Sequence, residues 1–190
     1  TLDDEIPHGT AVVIEEFKQR CLNTPYGDVG HIIRDNAYSV HPYKWPVIGK
    51  STDVIASATL DDAWDFFNSH YSPDNLVMCV SGNIDFERAV ELTEKWFGDI
   101  KSRNVIQQIL PAEPKQTTPK RVKIERDVPH KMILKAYHMC GRADQDYQAS
   151  DIISDILANG NSARFYRNVL MNSDAFSSLD ASVGGSMDPG

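Results

Sequence analysis

The chain has 190 residues, 41% of them hydrophobic and 24% charged, which is the composition of an ordinary globular protein and excludes a disordered one. Nineteen basic against 27 acidic residues give a formal net charge of -8 with no Lys/Arg cluster, so a phosphate backbone or an anionic membrane is repelled on average and nucleic-acid binding is not expected. No apolar run approaches the roughly 20 residues that span a bilayer, so no transmembrane segment is expected, and no basic-then-apolar leader opens the sequence. Cys21, Cys79 and Cys140 are odd in number and widely spaced, which fits buried small apolar residues better than a disulfide framework or a metal knuckle.

Thr10 to Asn23 reads as a helix, because Ala11, Val12, Val13, Ile14, Phe17 and Cys21 gather on one face at about 100° per residue. Pro25 and Gly27 end it. A second helix is expected from Asp28 to Val40, stopping at His41-Pro42 because a residue before proline is pushed out of the helical region. The loop from Pro42 to Gly49 follows, with Tyr43, Trp45 and Val47 as its apolar plug. Thr59 is placed to cap a helix running through His70, with Asp61 and Asp62 in the favoured first turn.

The period then changes: Asn75 to Ser81 is a short apolar run expected to be a buried strand. Asp85 to Phe97 returns to helical spacing and Gly98 stops it. Leu110 to Lys120 holds three prolines and little apolar surface, so an extended, solvated linker is expected there. Beyond it, Arg121 to Glu125, Lys131 to His138 and Phe176 to Val183 read as strands, and Tyr147 to Ala158 and Ser162 to Met171 as helices. Val183 to Gly190 follow a strand-like run without a terminal stop, so the sequence is expected to be an internal piece of a longer chain.

The stretch Val12-Val13-Ile14-Glu15-Glu16-Phe17-Lys18-Gln19-Arg20 carries the most chemistry, since two adjacent carboxylates on one amphipathic helix cannot share an environment. Glu15 falls opposite the apolar face and should be solvated, within reach of Lys18. Glu16 falls at the edge of that face and should be half buried, where a carboxylate costs several kcal/mol unless a cation, a metal or hydrogen-bond donors hold it. Arg20, one turn on, suits a plain ion pair; metal ligation is the alternative. His41 reads as a turn imidazole satisfying neighbouring backbone groups, with a substrate contact as its alternative, and Ser162 as a helix cap rather than a nucleophile.

Taken in order, Val-Val-Ile-Glu-Glu-Phe, Pro25-Tyr26-Gly27, His41-Pro-Tyr-Lys-Trp-Pro-Val-Ile-Gly49 and Thr52-Asp-Val-Ile55 resemble the inverted-motif zinc peptidases, the insulinase, pitrilysin and mitochondrial processing peptidase family. Phe66 to Asn75, Ser81 to Asp85 and Asn159 to Tyr166 continue the resemblance, which covers nearly the whole chain. The family implies two histidines and a general-base glutamate from an H-x-x-E-H helix, with a downstream glutamate as third zinc ligand. By position Glu16 matches that ligand. None of His8, His31, His41, His70, His130 and His138 is followed by x-x-Glu-His, so no catalytic residue is expected in this chain. The acidic residue that the family often carries about two turns before the ligand is replaced here by the neighbourhood His8-Gly9-Thr10.

The resemblance therefore implies an α+β fold, with helices packed on a mainly antiparallel β-sheet and parts of two consecutive peptidase-family subdomains. Residues 1–109 would be the later part of the metal-bearing half, 110–120 the linker and 121–190 the start of the second half. The expected function is that of a fragment of a zinc-dependent metalloendopeptidase: Zn2+ belongs to the parent protein, none is bound by these residues alone, and the fragment is inert. The alternative is a noncatalytic peptidase-like subunit that shapes a substrate chamber, and a weaker one is an unrelated α+β binding domain. Expected partners are a peptide substrate and either a homologous peptidase-like subunit or a second copy.

Overall fold

A computed structural model describes residues 2–103, 105 and 108–190. The chain divides into two compact units, the first formed by Thr1–His31 and Trp45–Pro111, the second by Ile32–Lys44 and Ala112–Gly190.

In the first unit, α1 (Leu2–Phe17) runs without interruption into a π-helical turn, Lys18–Leu22. Phe17 and Cys21, one turn apart, are the buried end of its apolar stripe, whereas Val12 and Val13 stay exposed. The chain reverses after this turn through Pro25-Tyr26-Gly27. Tyr26 takes a left-handed φ of 62°, and a Cβ on Gly27 would collide with the Arg20 carbonyl, so only glycine permits that approach. α1 packs on α3 (Thr52–Ala56) and on α4 (Leu60–His70). α4 begins with a complete capping box, in which Thr59 accepts from the Asp62 amide at 3.1 Å and Asp62 accepts from the Thr59 amide at 2.8 Å. α5 (Phe86–Phe97) is capped by Asp85, whose carboxylate accepts from the Arg88 amide. α2 (Val29–Ala37) starts in this unit and ends in the second.

The second unit holds the end of α2, the 3-10 turn Pro42–Lys44, α6 (Asp146–Ala158) and a π-helical turn at Tyr166–Leu170. Its buried centre includes Tyr38, His41 and Ala163.

The α+β expectation is overturned. Among the described residues there is no strand and no sheet; regular structure is helical throughout. Residues 75–81, 121–125, 131–138 and 176–183 lie in irregular chain instead of strands. An apolar run sets only the local preference for extension, as at Leu76 with φ -128° and ψ 138°, whereas a ladder needs a second segment alongside. Among the described residues no segment forms a ladder with these runs, and Val77 and Ile133 are left 97% and 74% exposed. Among the described residues, backbone pairing between distant segments is confined to one short stretch, where Met139 and Gly190 exchange N–H···O bonds at 2.6 and 3.0 Å and the Arg142 amide donates to the Ser186 carbonyl. For the same reason Cys79, in the first of these runs, is exposed rather than buried, and Cys140 is intermediate. Of the apolar plug expected in the 42–49 loop, Tyr43 packs on Tyr38 and His41, whereas Trp45 is 48% exposed and Val47 fully so.

Candidate functional site

The two carboxylates of α1 separate as their helical phases require. Glu15, 71% exposed, pairs with Lys18 at 2.6 Å; Glu16, 40% exposed, pairs through Oε1 with Arg20 Nη2 at 3.0 Å. Both are pairs between successive turns of the same helix. The pair partner Arg20 lies within the π-helical turn, whose wider winding is a feature that recurs at functional sites. Buried beside it, Cys21 has its thiol pushed up in pKa by desolvation, which the Arg20 charge opposes.

Glu16 is a hard oxygen donor at the edge of a packed face, the kind of group that zinc accepts, but a zinc site takes three or four protein ligands. Among the described residues no three His, Cys, Asp or Glu side chains converge on one point. These residues by themselves therefore do not fit a zinc ion. The histidines have other engagements. His31 packs its ring edge-on against Phe17, centroids 5.2 Å apart, and donates through Nε2 to the Gly49 carbonyl at 3.1 Å. His70 stacks on Phe66 at 4.3 Å.

In the second unit, His41 is only 4% exposed. Its Nδ1 accepts from the Tyr43 amide at 3.1 Å, as expected of a turn imidazole, and this puts the neutral ring's proton on Nε2, 3.7 Å from Asp188 Oδ2. Tyr43 lies edge-on to the imidazole at 4.2 Å, and Tyr38 completes the cluster. The amides of Ser39, Val40 and His41, together with the Ser39 hydroxyl, all donate to Glu113, at 2.6, 3.0, 2.9 and 2.5 Å. Partial burial raises the Glu113 pKa, but these donors outweigh it and hold the carboxyl down at about 2.

Glu113 and Asp188 were invisible to sequence reasoning. Glu113 stands between Pro111 and Pro114 in a segment read as solvated linker, and its partners are more than 70 residues upstream. A lone acidic residue with no periodicity around it carries no local signal.

Residues 57–190 match the family model described as the peptidase M16 inactive domain, so Glu16 lies outside the matched stretch. The zinc protease PqqE of Helicobacter pylori is 30% identical over 166 residues, covering 85% of this chain and 37% of that protein. The beta subunit of the mitochondrial-processing peptidase of Caenorhabditis elegans is 24% identical over 112 residues, covering 59% of this chain and 24% of that one. The crystal structure of a protease from Helicobacter pylori superposes with a TM-score of 0.79 at 27% identity, over 98% of this chain and 46% of that chain. The chain thus spans less than half the length of these relatives.

Proposed function

Because the chain belongs to the M16 peptidase family, we propose that it is a noncatalytic stretch of a zinc-dependent endopeptidase, in which Glu16 supplies one metal ligand and the remaining ligands and general base come from residues outside it. The observation that supports this reading most is a pairing of two facts. Most of the chain matches a domain described as inactive, and Glu16, a half-buried carboxylate of the type that can ligate a metal, lies upstream of that match, paired with Arg20.

Under this reading, Arg20 is the ion-pair partner that holds the Glu16 side chain along its own helix when no metal is present. Peptide hydrolysis is then a property of the whole protein, and residues 57–190 contribute to enclosing the peptide.

A second reading draws on the nematode relative, which is named as one subunit of a processing peptidase: the whole protein pairs with a homologous peptidase-like subunit and, where it holds no zinc itself, is that subunit's noncatalytic partner. Zinc content and peptide cleavage of the whole protein, wild type beside Glu16→Gln, separate the two. About one zinc per chain with cleavage in wild type, both lost in the variant, supports the first reading. A wild-type protein without zinc or cleavage rules out the first reading and leaves the partner reading.

A further inference from the structure

A helix end leaves carbonyls without helical partners, and the chain beyond it leaves amides in the same condition. At the end of α2 both kinds are satisfied from far along the sequence. Lys120 Nζ donates to the Asn36 carbonyl at 2.5 Å, and His138 Nε2 donates to the Ala37 carbonyl at 2.9 Å. Two residues on, the Ser39, Val40 and His41 amides turn together onto the Glu113 carboxylate. A cation thus meets the negative end of the helix dipole, and an anion sits in the concavity of three consecutive N–H groups.

We propose that Glu113 and Lys120 are the two pins of a clasp that straps the proline-rich segment 113–120 across the C-terminal end of α2 and thereby seats the His41 loop. The geometry carries the proposal at each step. Segment 113–120 has no regular structure and little burial of its own, and between the two pins its described side-chain hydrogen bond is the internal one from Gln116 to the Thr118 carbonyl. Pro114 and Pro119 limit the conformations available between the pins, which lowers the entropy lost when both engage. His41, whose amide is one of the three, has its ring held from the other side by Asp188, and Asp188 also meets the Tyr43 hydroxyl through its carboxylate at 3.4 Å and its amide at 3.2 Å. Arg34 donates to the Tyr43 carbonyl and Lys44 faces Asp35, so the loop is closed on both flanks once the clasp is shut. With the clasp open, the three amides lose their acceptor and the 113–120 strap is released together with the loop. This inference is independent of the peptidase reading.

Hydrogen exchange and limited trypsin digestion of the whole protein test the clasp, comparing wild type with Glu113→Gln and Lys120→Met. In Glu113→Gln the amides of residues 39–41 should exchange about tenfold faster and cleavage after Lys115 should accelerate, in keeping with the loss of charge-assisted hydrogen bonds, while α4 keeps its protection. Exchange at residues 39–41 within about twofold of wild type in a variant that retains α4 protection overturns the proposal. Should Glu113→Gln lose α4 protection, Lys120→Met decides: faster cleavage after Lys115 supports the clasp, and a wild-type rate overturns it.

Discussion

Glu16 and Glu15 are neighbours in sequence yet meet different surroundings, because about 100° of helix rotation separates them. If Glu16 is the proposed zinc ligand, Glu15→Gln should leave the zinc content of the whole protein unchanged, while Glu16→Gln, which keeps the volume and removes the charge, should abolish it; metal analysis of the two variants side by side checks this. Glu113 predicts a pH dependence. Its pKa in the folded chain is depressed from the ordinary 4.5 to about 2, so the folded state binds fewer protons than the unfolded one between those values. The contribution is fully present above the ordinary carboxylate range and is lost as pH falls toward about 2. Tyr38, His41, His138 and Asp188 lie in the same cluster, and the Glu113 charge helps to raise the Tyr38 pKa, after burial as the larger cause. Amide exchange at residues 39–41, followed from pH 5 to pH 3, should accelerate in wild type beyond its intrinsic pH trend and show no such excess in Glu113→Gln.

At the scale of elements, local chemistry decides where helices begin. The Thr59–Asp62 capping box satisfies orphan amides at the start of α4, and the hydrogen bonds from Thr59 hold the Asp62 carboxyl below its usual range. Thr59→Ala should cost about 1 kcal/mol, read as a lower denaturation midpoint at unchanged m-value. The helix expected over Asp85 to Phe97 is observed as Phe86–Phe97 with Asp85 as its cap, and the one expected over Tyr147 to Ala158 as Asp146–Ala158. The four apolar runs read as strands fared differently, since a cap lies within four residues of its partner and a ladder partner lies elsewhere in the chain. The end of α2 is an intermediate case: proline at position 42 signals that a helix must stop, but the groups that satisfy its end come from positions 113, 120 and 138.

For the whole molecule, surface area is the informative quantity. The chain exposes 15713 Å², whereas a folded monomer of 21.3 kDa exposes roughly 9,100 Å². Much of the excess is apolar: Val47, Val77, Ile109, Phe86 and Tyr137 are all more than three-quarters exposed. Such surface is stable only when something covers it. These 190 residues in isolation should therefore bind a hydrophobic dye and self-associate at micromolar concentration. Dye fluorescence and sedimentation velocity check this, and a monodisperse, dye-silent chain would contradict it.

By itself the sequence determined the helices with strong local signals, the separate environments of Glu15 and Glu16, and the family, because capping, helical phase and ordered motifs are all properties of neighbouring residues. Only the tertiary structure decided that the apolar runs stand without ladders among the described residues, that Trp45 and Val47 stay exposed, and that Glu113, in the segment read as a solvated linker, accepts from the amides of residues 39–41. Each of those outcomes depends on which distant segment lies alongside, and a pairing between positions 70 residues apart leaves no mark on the local pattern at either end.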